Sequence, residues 1–286
     1  MLKLIHFTYI ALTSFLFIGI QPAFSQKDEP EAKELITKMI KSIRDVERLK
    51  YSLKIIERGK KGFNHYESSV KLNRKPRKVY LYIKGIEVLW VDGWNNNKAY
   101  VNPNSFPYMN LSLDPLGSLM RQDQHHTLYE MGVDYFASII EYISLKYNSR
   151  FNEIFKYEGE ERINNRPCYK ITIDNQDFTY ENYTVGDNES ITSIARKLHV
   201  SEYMIVEKNT KLKDYFDILK KGQVLKVPSA YAKHVTLYID QLYFLPISVK
   251  INDDKGLFEQ YDYFFMQVNP KIDDAEFTKD YKGYKF

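Results

Sequence analysis

The sequence has one cysteine and little excess charge, and it lacks the short motifs of common enzymes. A lone cysteine, Cys168, rules out an internal disulfide. Lysine and arginine total 41 against 37 aspartates and glutamates, and the net charge of +4 is too small and too evenly spread to indicate a nucleic-acid partner. No Gly-x-Ser-x-Gly elbow, phosphate-binding loop or dinucleotide fingerprint occurs. The residues therefore indicate no enzyme class, and we expect neither a cofactor nor a bound metal.

Long apolar runs are also missing beyond the N-terminus. Residues 4–20 are mostly apolar, Lys3 precedes them, and Ala23-Phe24-Ser25 places small residues at the two positions that define signal-peptide cleavage. This pattern predicts export with cleavage after Ser25, and a retained membrane anchor is the alternative. Because no second run of this kind follows, we expect that the mature chain is not an integral membrane protein.

The mature chain is predicted to start with an amphipathic helix and to continue mainly as strands. Residues 31–49 carry apolar side chains at helical spacing, and a second helix is expected at 133–147, after a loop-rich excursion from 102 to 128. Alternating or β-prone runs predict strands at 51–58, 65–72, 79–83, 86–91, 98–101, 154–161, 167–173, 234–239, 245–251 and 257–268. The 24 tyrosines suit such sheets, although tyrosine also contacts glycans.

One strand is apolar or aromatic on both of its faces. In residues 79–83, Val79 and Leu81 share one face with Ile83, while Tyr80 and Tyr82 share the other. A sheet with one face in water would carry polar residues on that face. The pattern, together with the apolar stripe of the first helix, predicts a dry concave wall that could hold a lipophilic ligand.

Residues 183–228 have a β-α-α-β pattern in fewer than 50 residues. The segment opens with Tyr183-Thr184-Val185, has apolar residues at helical spacing after Ser190 and again after Ser201, and closes on the run from Gly222 to Pro228. This stretch resembles a LysM domain, the small module that binds glycans containing N-acetylglucosamine. The matching positions are the Tyr-Thr-Val opening, Ile194-Ala195, Val200-Ser201, Asn209 and the closing Gly-Gln-x-Leu-x-Val-Pro run.

Two departures from the family pattern involve residues that suit the same backbone. Asp187 to Ile191 replaces the usual Pro-Gly-Asp-Thr-Leu, and His199 stands where the family often has glycine. Asparagine and histidine tolerate left-handed backbone, and Ser190 is a good N-cap. We therefore expect the LysM fold to be kept.

The LysM resemblance implies a glycan groove between two loops. The implied binding residues are Asn188, Glu189, Ser190 and Ile191 in the first loop and Asp217, Ile218 and Leu219 in the second. Backbone groups of these loops would contact N-acetyl groups, with Ile191 and Ile218 beneath the sugar. The implied partner is peptidoglycan or a chitin-like glycan.

The strands on either side of the LysM stretch are predicted to be neighbours in one sheet, so we expect LysM to be an insert in an α+β domain. The predicted divisions are 1–25 signal peptide, 26–181 and 230–286 host domain, and 182–229 LysM. The order of helix, meander, excursion and further meander is similar to the half-barrel of the outer-membrane lipoprotein carrier family. That resemblance implies a curved antiparallel sheet that wraps helices and binds a lipid, lipoprotein or protein partner.

Several chemically suggestive residues have ordinary structural explanations. Asp123, His125 and His126 suggest a metal, but adjacent histidines diverge, so hydrogen-bonding roles are preferred and Arg121 is a candidate partner for Asp123. Cys168 is expected to fill a core. The tryptophans near the turn at 92–93 could stack on sugars, although packing within the hairpin is preferred.

The sequence therefore favours a non-enzymatic periplasmic protein of the cell envelope. LysM would tether it to peptidoglycan, and the half-barrel would bind a lipophilic or protein partner. The alternatives are a cell-wall glycan hydrolase or transferase that LysM directs to its substrate, and an envelope sensor or scaffold. A close pair of buried titratable groups in a host-domain cleft would favour an enzyme.

Overall fold

The structure, a computed structural model, describes residues 30–106, 108–122 and 124–286. The predicted signal peptide, Pro107 and Asp123 lie outside the described residues. Within these ranges no helix has the length and apolarity that a membrane span requires.

Thirteen strands account for most of the regular secondary structure in the described chain. They are β1 (Arg48–Gly59), β2 (Gly62–Asn73), β3 (Lys78–Ile83), β4 (Ile86–Val91), β5 (Ala99–Asn102), β6 (Leu111–Leu113), β7 (Phe155–Ile163), β8 (Arg166–Asp174), β9 (Tyr180–Thr184), β10 (Val224–Pro228), β11 (His234–Asp240), β12 (Pro246–Asp253) and β13 (Gly256–Val268). The helices are α1 (Ala32–Arg44), α2 (Ser118–Arg121), α3 (Asp134–Lys146), α4 (Phe151–Ile154), α5 (Ile191–Leu198) and α6 (Glu202–Lys208).

Eleven of these strands form one open antiparallel sheet, the half-barrel. Its order is β6-β5-β4-β3-β2-β1-β13-β12-β11-β8-β7. Helices α1, α3 and α4 pack on one face, and the main apolar core lies between them and the sheet. The predicted α+β class, with a large antiparallel sheet around a few helices, is confirmed.

Helix α1 has the predicted apolar stripe, with Leu35, Ile36 and Met39 buried. It ends at Arg44, so the predicted end at residue 49 is wrong. The backbone N–H groups of Glu47 and Arg48 donate to Asn269 Oδ1 over 2.7 and 3.0 Å. This contact leads the chain out of the helix and into β1, and it joins residues more than 220 positions apart.

The short edge strand β6 was not predicted. It lies in the segment interpreted as loop and pairs with β5 through Val101 and Leu111. Because it has only three residues, it carries too little alternation to be recognised from sequence.

On the second face of β3, Tyr80 is covered by a later segment of the chain, whereas Tyr82 is 45% exposed. We call residues 270–286 the C-terminal strap. Phe277 is buried against Tyr80, and the ring of Tyr284 stacks on Tyr80 at 3.9 Å. Glu276 anchors the strap to the sheet through ion pairs with Lys50 and Lys71 at 3.0 and 2.7 Å. The strap therefore explains the aromatic side chain at Tyr80 of this face.

The LysM stretch has the predicted βααβ order, with β9 and β10 paired as a separate two-stranded sheet. The Ser190 side chain caps α5 by accepting from Ser193 N, as expected. Asn188 and His199 have φ of 55° and 52°, so both residues adopt the left-handed backbone that replaces glycine. The two departures from the family pattern thus preserve the fold.

The ends of this module lie side by side. Host strands β8 and β11 pair directly, with Ile173 opposite Val235, and the chain leaves after β8 and returns before β11. Ser229 N donates to Thr179 O over 2.8 Å, and Thr179 N donates to Ser229 Oγ over 3.0 Å. Such closely spaced ends suit an insertion, because joining them imposes little strain on the host.

Candidate functional site

The two loops expected to bind glycan lie at the same end of the small LysM sheet. Thr184 at the end of β9 pairs with Val224 at the start of β10, so the residues after one and before the other are neighbours. Val185 N donates to Gln223 O over 2.8 Å, and Lys221 forms an ion pair of 2.7 Å with Asp187. These contacts bring together the segments that border the two predicted loops.

The first loop is ordered by Glu189. Its carboxylate accepts from Gly186 N at 2.8 Å and from Tyr183 Oη at 2.7 Å, and it pairs with Lys197 at 3.0 Å. The hydrogen bond from Gly186, followed by those from Tyr183 and Lys197, lowers the pKa of Glu189 to about 2. This carboxylate holds the loop in place and is fully engaged within it.

The other residues of the first loop differ in accessibility. Asn188 and Ser190 are exposed, whereas the Ile191 side chain is 0% exposed inside the LysM core. The Ile191 side chain is therefore unavailable to support a sugar from below, and only its backbone lies at the loop.

The second loop presents one exposed apolar side chain. Ile218 is 93% exposed, whereas Leu219 packs on the LysM core. Asp217 Oδ2 accepts from Lys213 N over 2.5 Å, which closes the turn before Ile218. Ile218 is thus the accessible apolar contact that this pair of loops offers.

The LysM module is docked on the host by its second helix. Arg121 of α2 donates to Glu202 of α6 over 2.7 Å, and the two side chains are 2% and 9% exposed. The predicted partner of Arg121, Asp123, lies outside the described residues. A second pair links Arg58 of β1 to Glu207 of α6 at 3.3 Å. Charges removed from water in this way must be paired, so both contacts depend on a fixed position of LysM.

Apolar contacts reinforce the docking. Tyr203 and Met204 of α6 belong to the main core of the host, and Met204 is 0% exposed. The ring of Tyr203 stacks on His125 at 4.4 Å, and His199 stacks on Tyr142 of α3 at 4.1 Å. The α6 face of LysM is thus covered by the host, while the glycan loops lie outside these contacts.

A cleft of about 280 Å³ separates the modules beside the second loop. It is lined by Arg58 and Lys60 of the host and by Tyr215 and Phe216 of LysM, among other residues. Phe216 is followed directly by Asp217, so the cleft adjoins the predicted glycan loop.

The concave face of the half-barrel is apolar, but it is filled by its own side chains. The cavity that remains there measures about 80 Å³, and Tyr51, Tyr135, Phe136 and Tyr263 are among its walls. This is smaller than the roughly 150 Å³ that accommodates a single benzene ring. The expectation of an open wall for acyl chains is therefore wrong for this conformation, because α3 and the preceding loop occupy the space.

One side of this cavity is polar. We call Glu57, His125, His126, Glu130 and Glu259 the Glu–His cluster. His125 Nδ1 lies 2.8 Å from Glu259 Oε2, and its Nε2 lies 2.8 Å from the carbonyl oxygen of Arg58. His126 lies 3.5 Å from both Glu130 and Glu259. The predicted hydrogen-bonding role of the two histidines agrees with these contacts.

Burial and charge oppose each other in this cluster. Burial alone would raise the pKa of Glu259, but the charge of His126 and the hydrogen bond from His125 outweigh it and lower the pKa. Burial would likewise lower the pKa of His126, yet the charge of Glu259 and hydrogen bonds with Glu130 and Glu259 raise it. Glu259 is thus ionised, and His126 retains its proton at pH values above those at which a histidine usually loses it.

Glu57 and Glu259 were missed by reasoning from the sequence. Each belongs to a correctly predicted strand and lies on the face that alternation assigns to the core, in line with Ile55 on β1 and Tyr261 on β13. A carboxylate on a strand face that alternation predicts to be buried could have identified both residues as site candidates, because an unpaired buried charge is costly and therefore indicates a partner.

The remaining candidates have structural positions. Cys168 is 0% exposed, and burial raises the pKa of its thiol to about 11. Trp90 is 3% exposed and donates to Asn97 O, whereas Trp94 is 54% exposed. Core filling by Cys168 and hairpin packing by Trp90 are thus confirmed.

Comparisons with solved structures found distant similarity. MucB is 11% identical with a TM-score of 0.43, and the match covers 86% of this chain and 62% of MucB, so this chain spans about three fifths of it. The Mycobacterium tuberculosis lipoprotein LppX is 11% identical with a TM-score of 0.41, covering 85% and 97% of the two chains. A LolA superfamily protein from Nitrosomonas europaea is 12% identical with a TM-score of 0.33, covering 88% and 100%.

Two family descriptions match the sequence itself, and no curated protein matches it. The LysM description matches residues 183–228, which confirms the predicted LysM domain. The description "Protein of unknown function (DUF1571)" matches residues 46–190, just over half of the 286 residues. The chain therefore belongs to the DUF1571 family and carries a LysM domain whose match overlaps the end of that region at residues 183–190.

Proposed function

We propose that this chain is an exported, non-enzymatic envelope protein that binds peptidoglycan through its LysM domain. The observation that carries the proposal is the LysM match at residues 183–228, together with two adjacent loops that stay clear of the docked α6 face. Residues 182–229 are the proposed insert in a host formed by 26–181 and 230–286. The proposed location is the periplasm.

The contacts between LysM and the host would give the bound protein a defined orientation on the glycan. LysM is fixed to the host through the Arg121–Glu202 and Arg58–Glu207 pairs, so a bound glycan strand would hold the half-barrel in one orientation. A module on a free linker would instead allow the host to rotate. The half-barrel would thus be presented to its own partner at a set angle to the cell wall.

The half-barrel itself is proposed to bind a protein or lipophilic partner. An acyl chain would require more room than the present cavity of about 80 Å³, so lipid binding would need the loop before α3 to move. Organic extraction of the purified protein followed by mass spectrometry tests this directly. Stoichiometric lipid would show that the concave face opens, and its absence would favour a protein partner.

A glycan hydrolase fits the geometry less well. The close buried pair that would favour an enzyme does exist, as Glu57 and Glu259. However, the Tyr261 hydroxyl lies between them, 2.7 Å from one and 3.1 Å from the other. Paired glycosidase carboxylates must flank a sugar, and a space of about 80 Å³ holds none.

The test is titration of the full chain with N-acetylglucosamine oligomers, alongside co-sedimentation with purified peptidoglycan. Ile218→Ser should weaken binding about tenfold, because covering one exposed isoleucine stabilises a complex by roughly 1.5 kcal/mol. Leu145→Ser is the matched control, since Leu145 is 71% exposed on the host helix α3. Absence of binding to both ligands at millimolar concentration would remove the tethering role.

A further inference from the structure

Two glutamates face each other across the middle of the large sheet. Glu57 on β1 and Glu259 on β13 are direct register partners, and they are 2% and 0% exposed. Like charges directly opposite on neighbouring strands destabilise a sheet, and burial adds to the cost. A positive group between them is therefore required.

Lysine and arginine do not supply this charge. In the ranges that the structure describes, the ion-pair partners of Glu259 are His125 and His126, and that of Glu130 is His126. The Arg58 guanidinium, next in sequence to Glu57, is directed to Asp253 and Glu207 instead. The balancing charge must come from protonated imidazoles or from a bound cation.

The donor atoms are close enough to share one ion. One ligand atom each from Glu57, His125 and Glu259 lie within 4.8 Å of one another, and all three residues are buried. Ligands at about 2.0–2.2 Å from one tetrahedral zinc ion lie roughly 3.4 Å apart. Closing this set on an ion therefore takes a contraction of up to about 1.4 Å.

The surrounding groups hold these donors as metal ligands are commonly held. His125 Nε2 donates to the Arg58 carbonyl oxygen, and its Nδ1 lies 2.8 Å from Glu259 Oε2, where a bound ion would replace the proton of this hydrogen bond. The Tyr231 hydroxyl donates to Glu259 Oε1 over 2.7 Å. A ligating histidine that donates its other N–H to a carbonyl, and a carboxylate fixed by a second hydrogen bond, are the usual supports of metal sites.

From this arrangement we propose that Glu57, His125 and Glu259 bind one divalent transition-metal ion, with Zn²⁺ as the best fit. His126 Nε2 is 3.5 Å from the same Glu259 oxygen but lies outside this set of three donors. The adjoining cavity of about 80 Å³ has room for a metal-bound water. Mixed imidazole and carboxylate donors suit Zn²⁺, Mn²⁺ and Fe²⁺ rather than Ca²⁺. The ion would join β1 and β13 to the loop that carries the two histidines.

The test uses the purified full chain, stripped with a chelator and titrated with Co²⁺, whose visible absorption reports its ligand geometry. We expect one Co²⁺ per chain, displaced by Zn²⁺, and a higher thermal midpoint with Zn²⁺ than with chelator. Glu57→Gln and Glu259→Gln keep the side-chain shape and should lower the affinity at least about tenfold. The control is His65→Gln, which removes an exposed histidine on β2 and should leave binding unchanged.

Two results would overturn the proposal. A wild-type chain that gives no stoichiometric Co²⁺ spectrum would show that protonated histidines alone balance the glutamates. An equal loss of binding in His65→Gln would place the metal on the surface. If Glu259→Gln fails to fold, X-ray absorption of the Zn²⁺-loaded wild type decides, because the site predicts imidazole and carboxylate ligands without sulfur.

Discussion

Breaking the Arg121–Glu202 pair should show whether LysM is rigidly docked. Glu202→Gln keeps the side-chain volume and the contact with Thr192 Oγ1, but it leaves the charge of Arg121 without its carboxylate at a site that is 3% exposed. Removing one partner of a buried pair costs about 3–5 kcal/mol. Arg121 still lies over the Tyr215 ring at 4.2 Å, so we expect the lower end, about 3 kcal/mol. For a chain of this size that is a fall in thermal midpoint of roughly 6–12 °C.

The assay is urea and thermal unfolding followed by two signals. Both tryptophans, Trp90 and Trp94, lie in the host, so their fluorescence reports host unfolding, and circular dichroism reports the whole chain. In the docked arrangement the two signals should change together, and Glu202→Gln should shift both.

A double-mutant cycle separates the pair from its surroundings. Arg121→Met combined with Glu202→Met should recover most of the lost stability, because apolar replacement of both partners is often neutral. Asp187→Asn is the matched control, since its pair with Lys221 is exposed and its loss should cost about 0.5 kcal/mol or less. Single variants that cost under about 1 kcal/mol, as exposed pairs do, would refute the docked arrangement.

Three further outcomes are expected. The Gly186 hydrogen bond, followed by those from Tyr183 and Lys197, lowers the pKa of Glu189 to about 2, so the ionised carboxylate stabilises the loop fully above its unfolded-state pKa near 4.5 and loses this effect as the pH falls towards 2. Glycan affinity should therefore decline between these pH values. The Glu189→Gln variant should bind glycan more weakly at pH 7 and should not show this decline. Phe277→Ala, at a strap residue 2% exposed, should cost about 3–5 kcal/mol in urea unfolding, whereas Phe265→Ala, at a residue 84% exposed, should cost little; equal effects would contradict the role of the strap. N-terminal sequencing of the exported protein should begin at Gln26, and an uncleaved N-terminus in the membrane fraction would support the anchor alternative.

Features set by neighbouring residues could be predicted from the sequence. The LysM fold, its Ser190 cap and the left-handed His199 all follow from local spacing and backbone preference, and the structure has each of them. Most strands were predicted for the same reason. Alternation and turn residues are patterns of a few neighbouring positions, so they can be recognised in a single sequence.

Features set by distant contacts could not be predicted in the same way. Helix α1 ends early because Asn269 binds the backbone after it, and LysM docks because Arg121 meets Glu202, 81 residues away. The Glu–His cluster depends on a register that places Glu57 opposite Glu259. Alternation assigns each glutamate to a buried face, but it does not tell which residue lies across from it.

The pairing of β1 with β13 also determines when the sheet can form. Leu49 lies opposite Val268, so the central pair of strands joins the two ends of the chain, whereas β9 and β10 of LysM are separated by only two short helices and their loops. Loop closure slows as contacts become less local, so LysM can fold early and the half-barrel must fold late. A nascent chain without β13 leaves β1 with an unpaired edge, and this central pair forms only after residue 268 has been synthesised.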